Sequence, residues 1–153
     1  MELKINRATV PVADIIFEGI QEQSVELDYI LPDYYPDIFR LIRCETVPVI
    51  TSWNISGERL TYELRCDIRV IYCSEDSNVP QCISQRRSFS KTVELGKACD
   101  TPVVKLVPKA EHANCRVVNK RRLDMRGAVS VKISVTGETA QEVICDASGM
   151  NIQ

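Results

Sequence analysis

Apolar and polar side chains alternate over long stretches of the chain, and this pattern predicts β-strands. The clearest stretch covers residues 60–72, and a comparable one covers residues 129–136. A period of two places successive side chains on opposite faces of a strand, so each stretch has one buried and one solvated face. The predicted inward residues are Tyr62, Leu64, Cys66, Ile68, Val70 and Tyr72 in the first stretch, and Val129, Val131, Ile133 and Val135 in the second.

Shorter patterns predict the remaining strands. Residues 47–53 alternate ahead of a turn around Gly57, which indicates a β-hairpin with the strand at 60–72. Pro108 is expected to end a short apolar strand, and His112 then falls in a polar loop. The further strands are predicted at residues 25–29, 82–95 (as one strand or two), 103–107, 115–118 and 143–145.

Residues 31–45 do not follow the strand pattern. Pro32 and Pro36 each precede an aspartate and favour extended backbone in the residue before them. Apolar residues then recur at helical spacing, which predicts one short helix over residues 36–44 that closes one end of the β structure. The apolar face of this predicted helix consists of Ile38, Leu41 and Ile42.

The tip of this stretch is the candidate partner-binding surface. It holds two adjacent tyrosines between the two prolines, and these tyrosines either contact a partner or pack at a loop corner. The residues of the predicted surface are Asp33, Tyr34, Tyr35 and Pro36.

These elements predict an all-β fold, with a single antiparallel β-sandwich or barrel-like domain and one short helix. A chain of 153 residues suits one domain with one core. We divide it into an N-terminal arm or edge strand at 1–20, a β domain at 21–136, and a short strand and tail at 137–153. Pro11 supports the edge position because proline lacks a ladder donor.

Charge and hydropathy narrow the classes of partner. Nineteen basic and 21 acidic residues give a net charge of −2, which argues against a dedicated nucleic-acid or polybasic membrane surface. An oligonucleotide-binding β-barrel is a distant alternative, with a basic patch made of residues 120–122, Arg86 and Arg87. These basic residues are better explained as a charge cluster that is solvated or lies between subunits than as a nucleic-acid site. No secretory signal or apolar membrane span is evident, so we expect synthesis in the cytoplasm without a signal peptide.

Seven cysteines leave at least one thiol unpaired in a monomer. No Cys-x-x-Cys occurs, which argues against a zinc knuckle or a thioredoxin-type couple. The cysteines either serve as small buried apolar residues or cross-link subunits in an oxidising environment. The candidates for intermolecular disulfides are Cys73, Cys82, Cys99, Cys115 and Cys145.

No constellation of residues predicts catalysis. His112 lies three residues from Cys115, but catalytic partners are brought together by the fold, and a solvated histidine is the simpler interpretation. Asp33 and Asp37 are better explained by turn formation than as ligands of a hard cation. The six glycines form no phosphate-binding loop. We therefore expect a non-enzyme with no catalytic residues, no cofactor and no metal.

The chain resembles the SPOCS domain of clostridial and related Firmicutes proteins of spore-coat morphogenesis. The resemblance rests on the Leu-Pro-Asp-Tyr-Tyr-Pro-Asp-Ile stretch at 31–38, the arginine and cysteine segment after it, and the Val-Ile-Tyr end of the strand at 70–72. The Ser-Phe-Ser segment at 88–90 and the Val-Ser-Val-Lys-Ile strand at 129–133 extend it over about residues 10–135.

The resemblance implies a β-rich interaction domain without catalysis, located in the spore coat or at the spore surface. Such proteins often carry a peptidoglycan-binding LysM module or a second SPOCS copy, and this chain shows neither, so we expect a free-standing subunit. The predicted function is self-assembly into a spore-associated or surface filament or coat layer. The predicted partners are other copies of the chain, other spore-coat proteins or, for a monomeric adaptor, a spore-coat morphogenetic ATPase, with no nucleic acid.

Overall fold

The computed structural model describes residues 4–76, 79–98 and 100–148, with side chains described between residues 13 and 138 of these ranges. Two three-stranded antiparallel sheets, ordered β1-β6-β5 and β2-β3-β4, face each other as a sandwich. The predicted all-β sandwich is thereby confirmed. The strands are β1 (Lys4–Ile30), β2 (Arg40–Ser56), β3 (Arg59–Cys73), β4 (Gln81–Glu94), β5 (Asp100–Asn119) and β6 (Arg122–Ser148).

The two central strands supply most of the core. Every predicted inward residue of residues 60–72 and 129–136 is at most 1% exposed, which confirms the alternation. The hairpin between β2 and β3 is also confirmed, because Ser56 pairs with Arg59 across a two-residue loop. Gly57 begins that loop with φ of 62°, the left-handed conformation that a tight hairpin turn needs.

Prolines within strands occupy only edge strands. Pro11 lies in β1, Pro48 in β2, and Pro102 and Pro108 in β5, while the central strands β3 and β6 have none. Alternate amides of an edge strand lie outside the ladder, so a proline at such a position removes no sheet hydrogen bond. The prediction that Pro108 ends a strand was therefore wrong. β5 continues through Pro108, and His112 lies in this strand, exposed, rather than in a loop.

The predicted helix at residues 36–44 was wrong, since the described residues contain no helix. β2 begins at Arg40, and its register against β3 shifts between Leu41 and Arg43. This β-bulge at Ile42 interrupts the alternation of side chains, so that the apolar spacing imitates a helix. Ile38 is buried, but Ile42 is 49% exposed, so the three residues do not share one apolar face.

The two ends of the sandwich differ. The loop end holds the β1–β2 loop at 31–39, the β3–β4 connection and the β5–β6 turn at Lys120 and Arg121. At the other end, β5 begins opposite Glu138 of β6, but β1 and β6 remain paired as far as Lys4 and Ser148. We call the two strands beyond that point, residues 4–13 with 138–148, the ribbon. At ~3.3 Å per residue, it extends for roughly 35 Å.

The predicted division at residues 20 and 136 stays a prediction, although both positions fall inside continuous strands, β1 and β6.

The two long sides of the sandwich differ in how closely the sheets approach. β2 and β5 approach each other closely along one side, which we call the closed side. Along the other, side chains bridge the sheets, as where Lys91 Nζ donates to Gln23 Oε1 at 2.9 Å. No helix in the described part of the chain is long and apolar enough to cross a membrane.

Candidate functional site

The β1–β2 loop is anchored at both ends by buried apolar side chains. Leu31 and Ile38 are 4% and 5% exposed and belong to the core. The prolines between them keep this segment out of regular strand, so its backbone polar groups need partners outside a ladder. The sandwich is thus closed at the loop end by an irregular loop instead of a helix.

Arg121 supplies partners for three carbonyls of this loop. Its guanidinium donates to the carbonyl oxygens of Pro32 at 2.6 Å, Tyr35 at 2.5 Å and Leu31 at 3.3 Å. It also contacts the Asp37 carboxylate at 3.2 Å. A guanidinium presents five donors in one rigid plane, so one side chain is able to serve several acceptors at once. Arg121 therefore holds the loop in one shape.

Backbone and tyrosine groups add further hydrogen bonds to the loop. We call the contacts that Arg121, Lys120 and Tyr72 make with it the clamp. The amides of Leu31 and Ile38 donate to the carbonyls of Arg121 and Lys120, both at 2.8 Å. The Tyr72 hydroxyl donates to the Pro36 carbonyl at 2.8 Å. Burial raises the pKa of Tyr72, so this hydroxyl keeps its proton and remains a donor.

The four residues of the predicted partner surface divide into two pairs. Asp33 and Tyr34 are exposed, Tyr34 by 82%, whereas Tyr35 and Pro36 are half-buried and contribute to the loop's own packing. The Tyr34 and Tyr35 rings are in contact, with centroids 5.0 Å apart. The tip is thus a rigid platform that presents one aromatic ring to solvent. That a partner binds there stays a prediction.

Phe39 is a further exposed aromatic residue of the β1–β2 loop, and it was missed by the sequence interpretation. It is 65% exposed, and its amide donates to the Cys73 carbonyl at 2.9 Å. A shallow groove runs beside it, lined by Pro36, Asp37, Ile38, Phe39, Ser74, Glu75, Asp76 and Lys120. A phenylalanine directly after Ile38 was the available signal, but assignment to a helix obscured it.

The basic residues of the alternative nucleic-acid interpretation do not form one free patch. Arg121 is committed to the loop, and Arg122 makes a two-point pair with Asp28 at 2.9 and 2.7 Å. The Arg122 hydrogen bond lowers the pKa of Asp28. Arg86 lies on the other sheet and contacts Asp67 at 3.3 Å. These contacts favour structural ion pairs over phosphate binding.

Five cysteines lie within the described side chains, and all five are free thiols. Of the predicted cross-linking residues, Cys82 is exposed, Cys73 and Cys115 are half-buried, and Cys99 and Cys145 lie outside the described side chains. Burial raises the pKa of Cys66 to about 11, which makes this core thiol unreactive. Intermolecular disulfides at the five predicted positions stay a prediction.

No three His, Cys, Asp or Glu side chains in the described part of the chain are grouped so as to hold a metal ion. His112 is exposed on β5, and no catalytic arrangement with Cys115 is evident from its strand position. Compared with protein-family models, curated proteins and solved structures, the chain matches none of them, so the SPOCS resemblance stays a prediction.

Proposed function

We propose that this protein is a non-enzymatic structural subunit that self-assembles into a spore-associated or surface filament or coat layer. The spore setting rests on the resemblance of residues 31–38 and the later strands to the SPOCS domain. Self-assembly rests on one structural observation, the ribbon. Its two strands continue beyond the third strand of their sheet, and β6 presents a second edge there that β5 does not cover.

An isolated two-stranded ribbon is at best marginally stable in water, because three or more strands with an apolar face are needed for independent stability. Pairing with a strand of another copy would give the uncovered β6 edge the hydrogen bonds that β5 supplies elsewhere. A contact between a ribbon and a different surface of the next copy is heterologous, and such contacts propagate into filaments when the rotation does not close.

The edges of the sandwich itself are less suited to strand addition. β2 and β5 carry prolines and register shifts, and β1 carries a register shift within the sandwich; such irregularities interrupt an edge. β4 has neither, but Arg87 and Lys91 lie on its half-buried inward-facing row, and inward charges also oppose pairing. Residues 139–148 of β6 contain no proline, and the one register shift of the ribbon lies near its outer end, at residues 144–146. The free β6 edge of the ribbon is therefore the edge best suited to pairing with a strand of another copy.

We expect a proline at position 140 to block assembly while preserving the ribbon. Pro11 of β1 lies opposite Ala140 of β6. Because Pro11 has no amide hydrogen, this pair fits a non-hydrogen-bonded position of the ladder, where the amide of Ala140 points away from β1 and toward the free edge. Ala140→Pro then removes a donor from the free edge alone. Electron microscopy of the purified chain, with and without reductant, should show filaments or sheets for wild type and for the matched control Ala140→Ser, but not for Ala140→Pro.

A monodisperse wild-type monomer at high concentration, with all seven thiols free, would exclude the self-assembly proposal. Normal assembly of Ala140→Pro would instead show that the free β6 edge is not the contact.

A second candidate function, a monomeric adaptor for a morphogenetic ATPase, is favoured by the exposed Tyr34 and Phe39 on the clamped loop. Exposed aromatic side chains on a rigid support resemble the anchors of protein interfaces. Alanine at both positions should abolish capture of the purified ATPase and leave the thermal unfolding midpoint unchanged. Retained capture would remove this loop as the binding surface.

A further inference from the structure

Two cysteines from different sheets meet on the closed side of the sandwich. Cys44 lies in β2 and pairs with Val70, while Cys115 lies in β5 and pairs with Met125. Both side chains are half-buried and pack against the edge of the core. The two thiols are neighbours across the gap between the sheets, close enough for a thiol–thiol interaction that shifts the pKa of both. No other pair of strands joins the two sheets as closely as β2 and β5 do.

We propose that Cys44 and Cys115 form an intramolecular disulfide on exposure to a low-molecular-weight disulfide, and that this bond fastens the two sheets together along the closed side. The inference does not depend on self-assembly. It also gives Cys115 a partner in its own chain, which competes with the intermolecular bond predicted for it from the sequence.

The environment of the pair is suited to thiol–disulfide exchange. A groove lined by Asn114, Cys115, Arg116, Asp124 and Arg126 opens beside Cys115 and gives solvent access to it. Arg116 and Arg126 share one carboxylate, Asp124, at 3.9 and 3.8 Å, which leaves the groove with excess positive charge. A disulfide that carries carboxylates, such as oxidised glutathione, is attracted to such a groove.

Cys44 is the better attacking group. The interaction with the Cys115 thiol lowers the pKa of Cys44 and, in return, raises the pKa of Cys115. The Cys44 thiolate attacks one sulfur of the small disulfide, which forms a mixed disulfide and releases one small thiolate. Cys115 then loses its proton and attacks the Cys44 sulfur, and the second small thiol leaves. Two protein thiols are thus oxidised, and one small disulfide is reduced to two thiols.

The bond would close the long chain segment between residues 44 and 115 and link strands that share no backbone ladder. In the chain-entropy model, closing a long segment restricts the unfolded state strongly. Oxidation should therefore raise the thermal unfolding midpoint by roughly 10 °C for a chain of this size. Reductant should reverse the change.

The experiment treats the full chain with oxidised glutathione, then alkylates the remaining thiols and maps peptides by mass spectrometry. We expect a Cys44–Cys115 linked peptide within one chain and the rise in midpoint, both absent in Cys44→Ser and Cys115→Ser. Cys82→Ser, a change at an exposed thiol on β4, should retain both. Wild-type mapping requires no variant to fold, so the inference remains testable if either serine variant does not.

Three results would overturn the inference. One is linkage of Cys44 or Cys115 to any other cysteine or to another chain. Another is a linked Cys44–Cys115 peptide without a higher midpoint, which would remove the fastening role. The third is a mixed disulfide with glutathione that never resolves into the protein disulfide.

Discussion

Replacing Arg121 with alanine should destabilise the protein more than any other change at a charged residue in the described part of the chain. The guanidinium donates to three loop carbonyls and contacts Asp37, and these loop groups have no ladder partners. Each lost charge-assisted bond costs ~1.5 kcal/mol or more when its acceptor is left without a partner. This applies to the Leu31 and Tyr35 carbonyls, whereas the Pro32 carbonyl also accepts from the Tyr35 amide at 3.0 Å. Because the Arg121 side chain is 35% exposed, water replaces part of the lost hydrogen bonding. We therefore expect the free energy of unfolding to fall by about 3 kcal/mol.

Urea unfolding monitored by circular dichroism measures this loss directly. Arg121→Lys keeps the charge but not the planar set of donors, so its stability should fall between those of wild type and Arg121→Ala. Arg122→Ala is the matched control on the adjacent residue, where an exposed ion pair with Asp28 is lost and little change is expected. Equal stability of Arg121→Ala and wild type would show that the loop does not depend on the clamp.

The central strands could be predicted from sequence because the physics that forms them is local. A sheet face that packs on a core requires alternate apolar residues, and the inward row of β3 has no exception from Leu60 to Tyr72. The turn at Gly57 was predictable for the same reason, since a left-handed φ within a two-residue loop favours glycine.

The edge strands were harder to predict because they tolerate irregularity. A bulge at Ile42 produced apparent helical spacing, and Pro108 suggested the end of a strand that in fact continues to Asn119. Both features are unfavourable in a central strand and acceptable at an edge, where one row of backbone groups faces away from the sheet. A sequence does not reveal which strands lie at edges until the sheet order is known.

The candidate site was predicted only in part, since its support comes from far along the chain. The tip from Asp33 to Pro36 was recognisable from its prolines and tyrosines, but Arg121 reaches it only because the β5–β6 turn lies at the same end of the sandwich. Within the sequence, Arg121 is one residue of a basic run. The approach of Cys44 to Cys115 likewise depends on which edges of the two sheets meet.

Gly127→Ala should destabilise the protein strongly, although Gly127 has no left-handed φ and attracts no notice in the sequence. A Cβ at this position would lie 2.5 Å from the His112 carbonyl oxygen and 3.2 Å from the Ala113 Cα. The close approach comes from the bulge in β5, where the register against β6 shifts between Ala110 and His112. Both contacts are to backbone, so β5 itself must move to admit the methyl group. We expect a loss of about 2–4 kcal/mol.

Gly57→Ala is the matched control because it makes the opposite kind of change. Its φ of 62° strains any L-residue, but no atom lies within 4 Å of the added Cβ, so we expect a cost of only about 1 kcal/mol. Thermal unfolding should therefore place the Gly127→Ala midpoint roughly 5–10 °C below that of wild type, and below that of Gly57→Ala. A Gly127→Ala midpoint above that of Gly57→Ala would mean that β5 shifts at little cost, which is feasible for a strand with ladder hydrogen bonds on one side only. In that case the bulge at His112 would be an adjustable feature of the edge, and the contact with Gly127 would not fix the position of β5 against β6.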